Sequence, residues 1–205
     1  MKSNLPKLFG ILLFVGMMAA GYYYNLTFVQ LGLEDFGTNM LGLSAQAVAR
    51  DMALLALMTC FIAIAFGWWM QRRGGGKNFR LKLRLSCGVV MMQTLLTFIC
   101  PWITAEAVFI LWLGGVSLTL GIGVPVMFSM TVDLVPVRWR GGAAALVTAS
   151  AYFFAETLSS EWTFEAFHRQ SLFMLAGGVI GMGMLVFIRH PWLDALAGQL
   201  QSVSK

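Results

Sequence analysis

Five stretches of this chain run for at least 18 residues without a charged side chain: Leu8–Leu31, Met52–Met70, Leu85–Ile103, Ala107–Val132 and Ser171–Ile188. A sixth, Gly141–Ser159, carries one acid, Glu156. At about 1.5 Å rise per residue, each is long enough as a helix to cross a hydrocarbon core of roughly 30 Å. A membrane barrel would need alternating strands of about ten residues, and none of these runs alternates. The whole chain of 205 residues is 59% hydrophobic and 11% charged, against roughly 25% charged in an average soluble domain. No soluble core of this size buries that much apolar surface, and segregation of the apolar residues into spanning lengths decides for lipid. The sequence therefore predicts an all-α integral membrane protein with six transmembrane helices over residues 1–190. The first run exceeds the apolar core of a signal peptide, about 7–15 residues, and is read as the first helix.

Charge sets the expected orientation. Lys2, Lys7, Arg72, Arg73, Lys77, Arg80, Lys82, Arg84, Arg138, Arg140, Arg189 and Lys205 fall on one side of these spans, and Arg50 and Arg169 on the other. By the positive-inside rule the first side is cytoplasmic, which puts both termini there, in a plasma membrane of the bacterial inner-membrane type. Segments 32–51, 104–106 and 160–170 are then expected outside. The net charge of +5 follows from this topology: the cations sit in short loops beside anionic headgroups, so a nucleic-acid partner is not implied. The tail over 191–205 places apolar residues Trp192, Leu193, Leu196 and Leu200 at helical spacing, as in a short amphipathic helix on the cytoplasmic surface.

Chemistry-bearing residues are sparse. Cys60, Cys87 and Cys100 lie in or at the start of apolar runs and read as buried thiols rather than a disulfide framework. His168 and His190 fall at opposite faces of the bilayer, so they cannot share a metal or haem. Nucleophile elbows and phosphate loops are missing. No enzyme, metal site or cofactor is expected.

The loop after the second run reads Gly67-Trp68-Trp69-Met70-Gln71-Arg72-Arg73-Gly74-Gly75-Gly76-Lys77. Its physical job is a tight turn, with glycines for unusual dihedrals and cations near helix ends. After the fourth run comes Asp133-Leu134-Val135-Pro136-Val137-Arg138-Trp139-Arg140-Gly141, leading into a run rich in small residues. Gly114, Gly115, Gly121, Gly123 and Pro125 precede it, and small residues mark close helix packing in lipid.

In order and spacing the two loops resemble those of the major facilitator superfamily, with Gly67, Arg72, Gly74, Lys77, Asp133 and Arg140 on the matching positions. The acid of the first loop is replaced by Gln71. The resemblance covers nearly the whole chain but one half of a twelve-helix transporter. It implies a six-helix half built of two three-helix repeats, with a path between halves near the midplane. Three readings of the half-size chain stand side by side: a natural half-size protein, a fragment, or one chain of a pair. The uncharged fourth run lacks the Arg of many proton-coupled members, and the Gly-Pro pattern of antiporters is missing from the fifth run, which weakens proton-driven antiport.

Polar residues within the spans are few: Tyr22, Tyr23, Tyr24, Asn25 and Gln30, then Gln93, Thr94, Ser117, Thr119, Thr148, Ser150, Tyr152 and Glu156. Facing lipid is costly, so they are expected against other helices or a cavity. In the superfamily the first and fourth helices line the path, which makes Tyr24, Asn25 and Gln30 the expected substrate-path residues, joined by Tyr152 and Glu156. Interhelical hydrogen bonding, and for Tyr22–Tyr24 an interfacial aromatic belt, are the plainer roles. Arg72 is expected to cap helix-end carbonyls or to pair with Asp133. Two functions follow: a half-size carrier for a small neutral or weakly polar solute, or a non-transporting accessory, assembly or structural subunit of a larger membrane complex. Besides the lipid bilayer, the expected partner is a second copy or another membrane chain, because one half leaves its polar wall unopposed.

Overall fold

Ser44 starts the first of the long apolar helices described well before its apolar run begins. Its side-chain oxygen accepts from the Ala47 amide at 3.2 Å, satisfying one of the free N–H groups of a helix start. The computed structural model describes residues 32–74 and 78–134, with residues 140–142, 145 and 149 beyond them. Three long helices make up most of this: α1 (Ala45–Arg72), α2 (Phe79–Ile99) and α3 (Glu106–Leu134). All three are long and apolar enough to cross a membrane, and the described residues contain no strand. The expected spans at 8–31, 141–159 and 171–188, and the tail at 191–205, lie outside the described residues, apart from the helical positions 141, 142, 145 and 149.

The helices outrun the apolar stretches that reveal them. α1 adds 45–51 at its start, residues expected in a connection. α2 begins at Phe79 with Asn78 as cap, the Asn78 Oδ1 accepting from Leu81 N at 3.0 Å. Arg80, Lys82 and Arg84 thus ride on the first turns of α2 rather than in a loop. The physical reason is capping: a polar residue able to take up the free amides sets the start, wherever the apolar run begins. At the far end of α2 a 3-10 turn, Cys100–Trp102, carries Pro101, and α3 follows from Glu106.

Before α1, a π-helical turn at Phe36–Met40 leads through Gly42, whose φ of +65° suits glycine. Phe36 is buried, its ring 5.8 Å from that of Phe109 on α3, so part of the segment expected outside is packed into the core.

α3 is the centre of the layer. It packs against both α1 and α2, which scarcely touch each other. Arg50 near the start of α1 meets Glu106 at the start of α3, so these two run parallel. Trp112 Nε1 donates to the Leu96 carbonyl at 2.7 Å, and Ser86 Oγ donates to Met130 Sδ at 3.0 Å, so α2 runs antiparallel to α3. Glycines allow the approach. A Cβ on Gly121 would lie 2.7 Å from Ile62 and 3.0 Å from the Thr59 carbonyl of α1, and a Cβ on Gly115 would lie 3.0 Å from Leu96 of α2. Neighbouring glycine positions on α3 therefore serve opposite partners, both within the chain.

Candidate functional site: a buried polar seam between α2 and α3

The buried face of α2 carries Lys82, Ser86, Gln93, Thr94 and Thr97, a polar row within a largely apolar helix. Ser117 and Thr119 on α3 are buried as well. Most of these hydroxyls are spent on their own helix. Thr94 donates to the Val90 carbonyl at 2.8 Å, Thr97 to that of Gln93 at 2.9 Å, and Ser117 to that of Leu113 at 2.9 Å. Such bonds back along the helix let a hydroxyl sit in an apolar interior at little cost. Ser117 also reaches the Leu55 carbonyl of α1 at 3.3 Å, which ties α3 to its other neighbour.

Gln93 differs. Its side chain is fully buried, and Thr119 Oγ1 donates to its Oε1. The same hydroxyl lies 2.8 Å from the Val116 carbonyl, so its single proton serves one acceptor at a time. Among the described residues the Gln93 amide nitrogen has no hydrogen-bond partner. Turning the amide over would satisfy the nitrogen through Thr119 and leave the oxygen unpartnered, so one amide function stays unspent in either orientation. A buried, unmatched amide costs about 1–3 kcal/mol, which makes Gln93 the least self-sufficient group in the seam.

At one end of the seam, Lys82 has 1% of its surface exposed. Its position in the sequence groups it with loop cations; its position on the helix puts it one turn before Ser86, on the face packed against α3. Periodicity within α2 could have found it: 82, 86, 89, 93 and 97 are spaced by four or three residues, and all are buried.

The turn after α1 holds part of the expected motif. Gly74 takes φ +64° just past the helix end, and its N–H donates to the Gln71 carbonyl at 3.2 Å. This is the left-handed termination that glycine favours. Gly67 does not end the helix. α1 continues five residues further, to Arg72, and a Cβ at Gly67 would meet nothing within 4 Å, so neither a turn nor a close contact calls for glycine there. Arg72 lies with its guanidinium carbon 3.9 Å from the centroid of the Trp68 ring, one turn back, in a cation–π contact. Arg140 is a half-buried helical residue. Lys77 and the side chain of Asp133 lie outside the described residues, as do Tyr24, Asn25, Gln30, Tyr152 and Glu156.

Cys87 and Cys100 are buried and form no disulfide, as their apolar surroundings predict, whereas Cys60 lies on the exposed side of α1. Among the described residues no group of three or more His, Cys, Asp or Glu is placed to hold a metal. Comparison of the chain with protein-family models, with curated proteins and with solved structures finds no match.

Proposed function

We propose that this chain is a half-size, carrier-like membrane protein for a small neutral or weakly polar solute, working as a homodimer or beside a second membrane chain. The observation that carries the reading is the unspent amide of Gln93, buried among hydroxyls near the middle of an apolar helix pair. A donor or acceptor kept there without a partner suits a ligand that supplies the complementary atom, such as a hydroxyl or carbonyl. The resemblance of the two loops to the major facilitator superfamily supports the same reading, and it adds Tyr24, Asn25, Gln30, Tyr152 and Glu156 as further path residues, in a six-helix half in the bacterial inner membrane with both ends cytoplasmic. The test is solute flux into vesicles holding the purified chain, screened across small polyols, amides and sugars. Gln93→Leu should abolish flux while preserving the folded protein. Unchanged flux in Gln93→Leu, or no flux for any solute, would contradict the proposal.

The second reading, a non-transporting subunit of a larger complex, is favoured by a different observation. The hydroxyls of Thr94, Thr97 and Ser117 are satisfied by their own helices, as in an interior that serves packing alone. Purification in mild detergent discriminates between the two, since a stoichiometric unrelated chain supports the subunit and a self-associated pair supports the carrier.

A further inference from the structure

The first turns of α1 and α3 meet at one end of the helix layer, and one cation joins them. Arg50 Nη2 lies 2.8 Å from Glu106 Oε1 and 2.9 Å from Asp51 Oδ1. Arg50 Nε donates to the same Asp51 oxygen at 3.0 Å. The two acids are placed differently: the Asp51 side chain is 2% exposed and that of Glu106 44%. Asp51 Oδ2 is buried and, among the described residues, has no hydrogen-bond partner.

A guanidinium presents parallel donors that match the two oxygens of one carboxylate. Here two donors converge on a single Asp51 oxygen, and one of those donors is shared with Glu106. The donor fork is therefore not seated on both oxygens of Asp51 while it also reaches Glu106. A buried carboxylate oxygen left unmatched is costly, whereas an exposed bond to Glu106 is weakened by water and salt. Two arrangements of one cation therefore compete.

We propose that Arg50 is a two-position clasp. Shared between Asp51 and Glu106, it ties the start of α1 to the start of α3. Given over wholly to Asp51, with both carboxylate oxygens matched, it releases Glu106 and lets these ends separate. The close approach of Gly121 to Thr59 and Ile62 lies further along both helices and stays in contact as the pivot. Glu34 and Asp35, on the helical segment leading to the π-turn packed against α1, are exposed and half-buried, and the ion pairs of Arg50 are with Asp51 and Glu106.

The test uses the full chain in lipid nanodiscs, with Cys60, Cys87 and Cys100 replaced by alanine and spin labels attached at Gln46→Cys and Ala107→Cys. The readout is the distance distribution between the labels. Glu106→Gln should move the major population to a longer distance, and Asp51→Asn, which removes the competing seat, should sharpen the shorter one. Glu106 is exposed, so its variant keeps the buried contacts of the fold. Salt gives a second measurement that needs no substitution at the clasp: raising ionic strength should lengthen the distance in the parent and leave Glu106→Gln unmoved. A parent-like distribution in Glu106→Gln, equal shifts in the same direction for Glu106→Gln and Asp51→Asn, or a salt response unaltered by Glu106→Gln would each overturn the clasp.

Discussion

α1 and α2 are both apolar helices of spanning length, yet they use their surfaces in opposite ways. Of the most apolar stretch of α1, 6% is buried, against 50% for the corresponding stretch of α2. Leu57, Phe61, Ile64 and Trp68 point outward from α1 at intervals of four and three residues, with Ile64 72% exposed. α2 instead turns Ser86, Gln93, Thr94 and Thr97 inward against α3. The contrast teaches that the length of an apolar run reports a crossing, while its few polar residues report which face packs. In lipid an outward Phe or Ile costs nothing, whereas an outward Gln is expensive.

Core truncation should break the comparison most strongly. Leu113→Ala on α3, where the side chain is buried, should lower stability by about 2–5 kcal/mol, and Ile64→Ala on the outer face of α1 should stay within about 0.5 kcal/mol of the parent. Thermal unfolding in one detergent, run side by side, measures both.

Glycine contacts sharpen it next. Gly121→Ala should cost about 1–3 kcal/mol by overpacking against Ile62 and the Thr59 carbonyl. Gly88→Ala, on the exposed side of α2 with nothing within 4 Å of the added carbon, should be neutral or stabilising by up to about 1 kcal/mol. Equal costs at the two glycines would remove the close approach between α1 and α3.

Within the seam, Thr119→Val keeps the shape and removes the donor to Gln93, which should cost about 0.6 kcal/mol and at most about 1.7 kcal/mol, the average and maximum for hydrogen bonds between membrane helices. The smallest effect is expected from Arg72→Ala. Its contact with the exposed Trp68 ring is of the class that contributes about 0.5–1 kcal/mol, so the loss should register in Trp fluorescence more than in the unfolding midpoint.

The three described helices are legible in the sequence as apolar runs long enough to cross a membrane, since charge is costly in hydrocarbon and such runs lack ionic side chains. Gly114, Gly115 and Gly121 are legible as packing positions for a related reason, although which helix each one meets depends on rotation about the axis. The inward placement of Gln93, Thr94, Ser117 and Thr119 follows from the cost of exposing them to lipid. Other features are set by position in space and escape such reading. Lys82 looks like a loop cation until Asn78 is seen to cap α2 one turn earlier. Asp51 looks like a surface acid beside an apolar run, but a helix starting at Ser44 puts it on the same face as Val48 and Leu55, which are buried. Arg50 and Glu106 are far apart in the chain, and only the parallel packing of α1 and α3 brings them together. Gly67 shows that a glycine near the end of an apolar run need not end the helix.

The opposed use of the two helices is tested most directly by spin labels at Leu57→Cys, Phe61→Cys and Ile64→Cys on α1, in the full chain in a lipid bilayer with its native cysteines replaced. Collision with oxygen, which concentrates in the hydrocarbon, is compared at each position with collision with a water-soluble nickel chelate. High oxygen access and low nickel access at all three positions is the expected result. Strong nickel access at Phe61 and Ile64 would mean that this face meets water, and would contradict the proposal that the outer face of α1 meets lipid while the polar interior lies between α2 and α3.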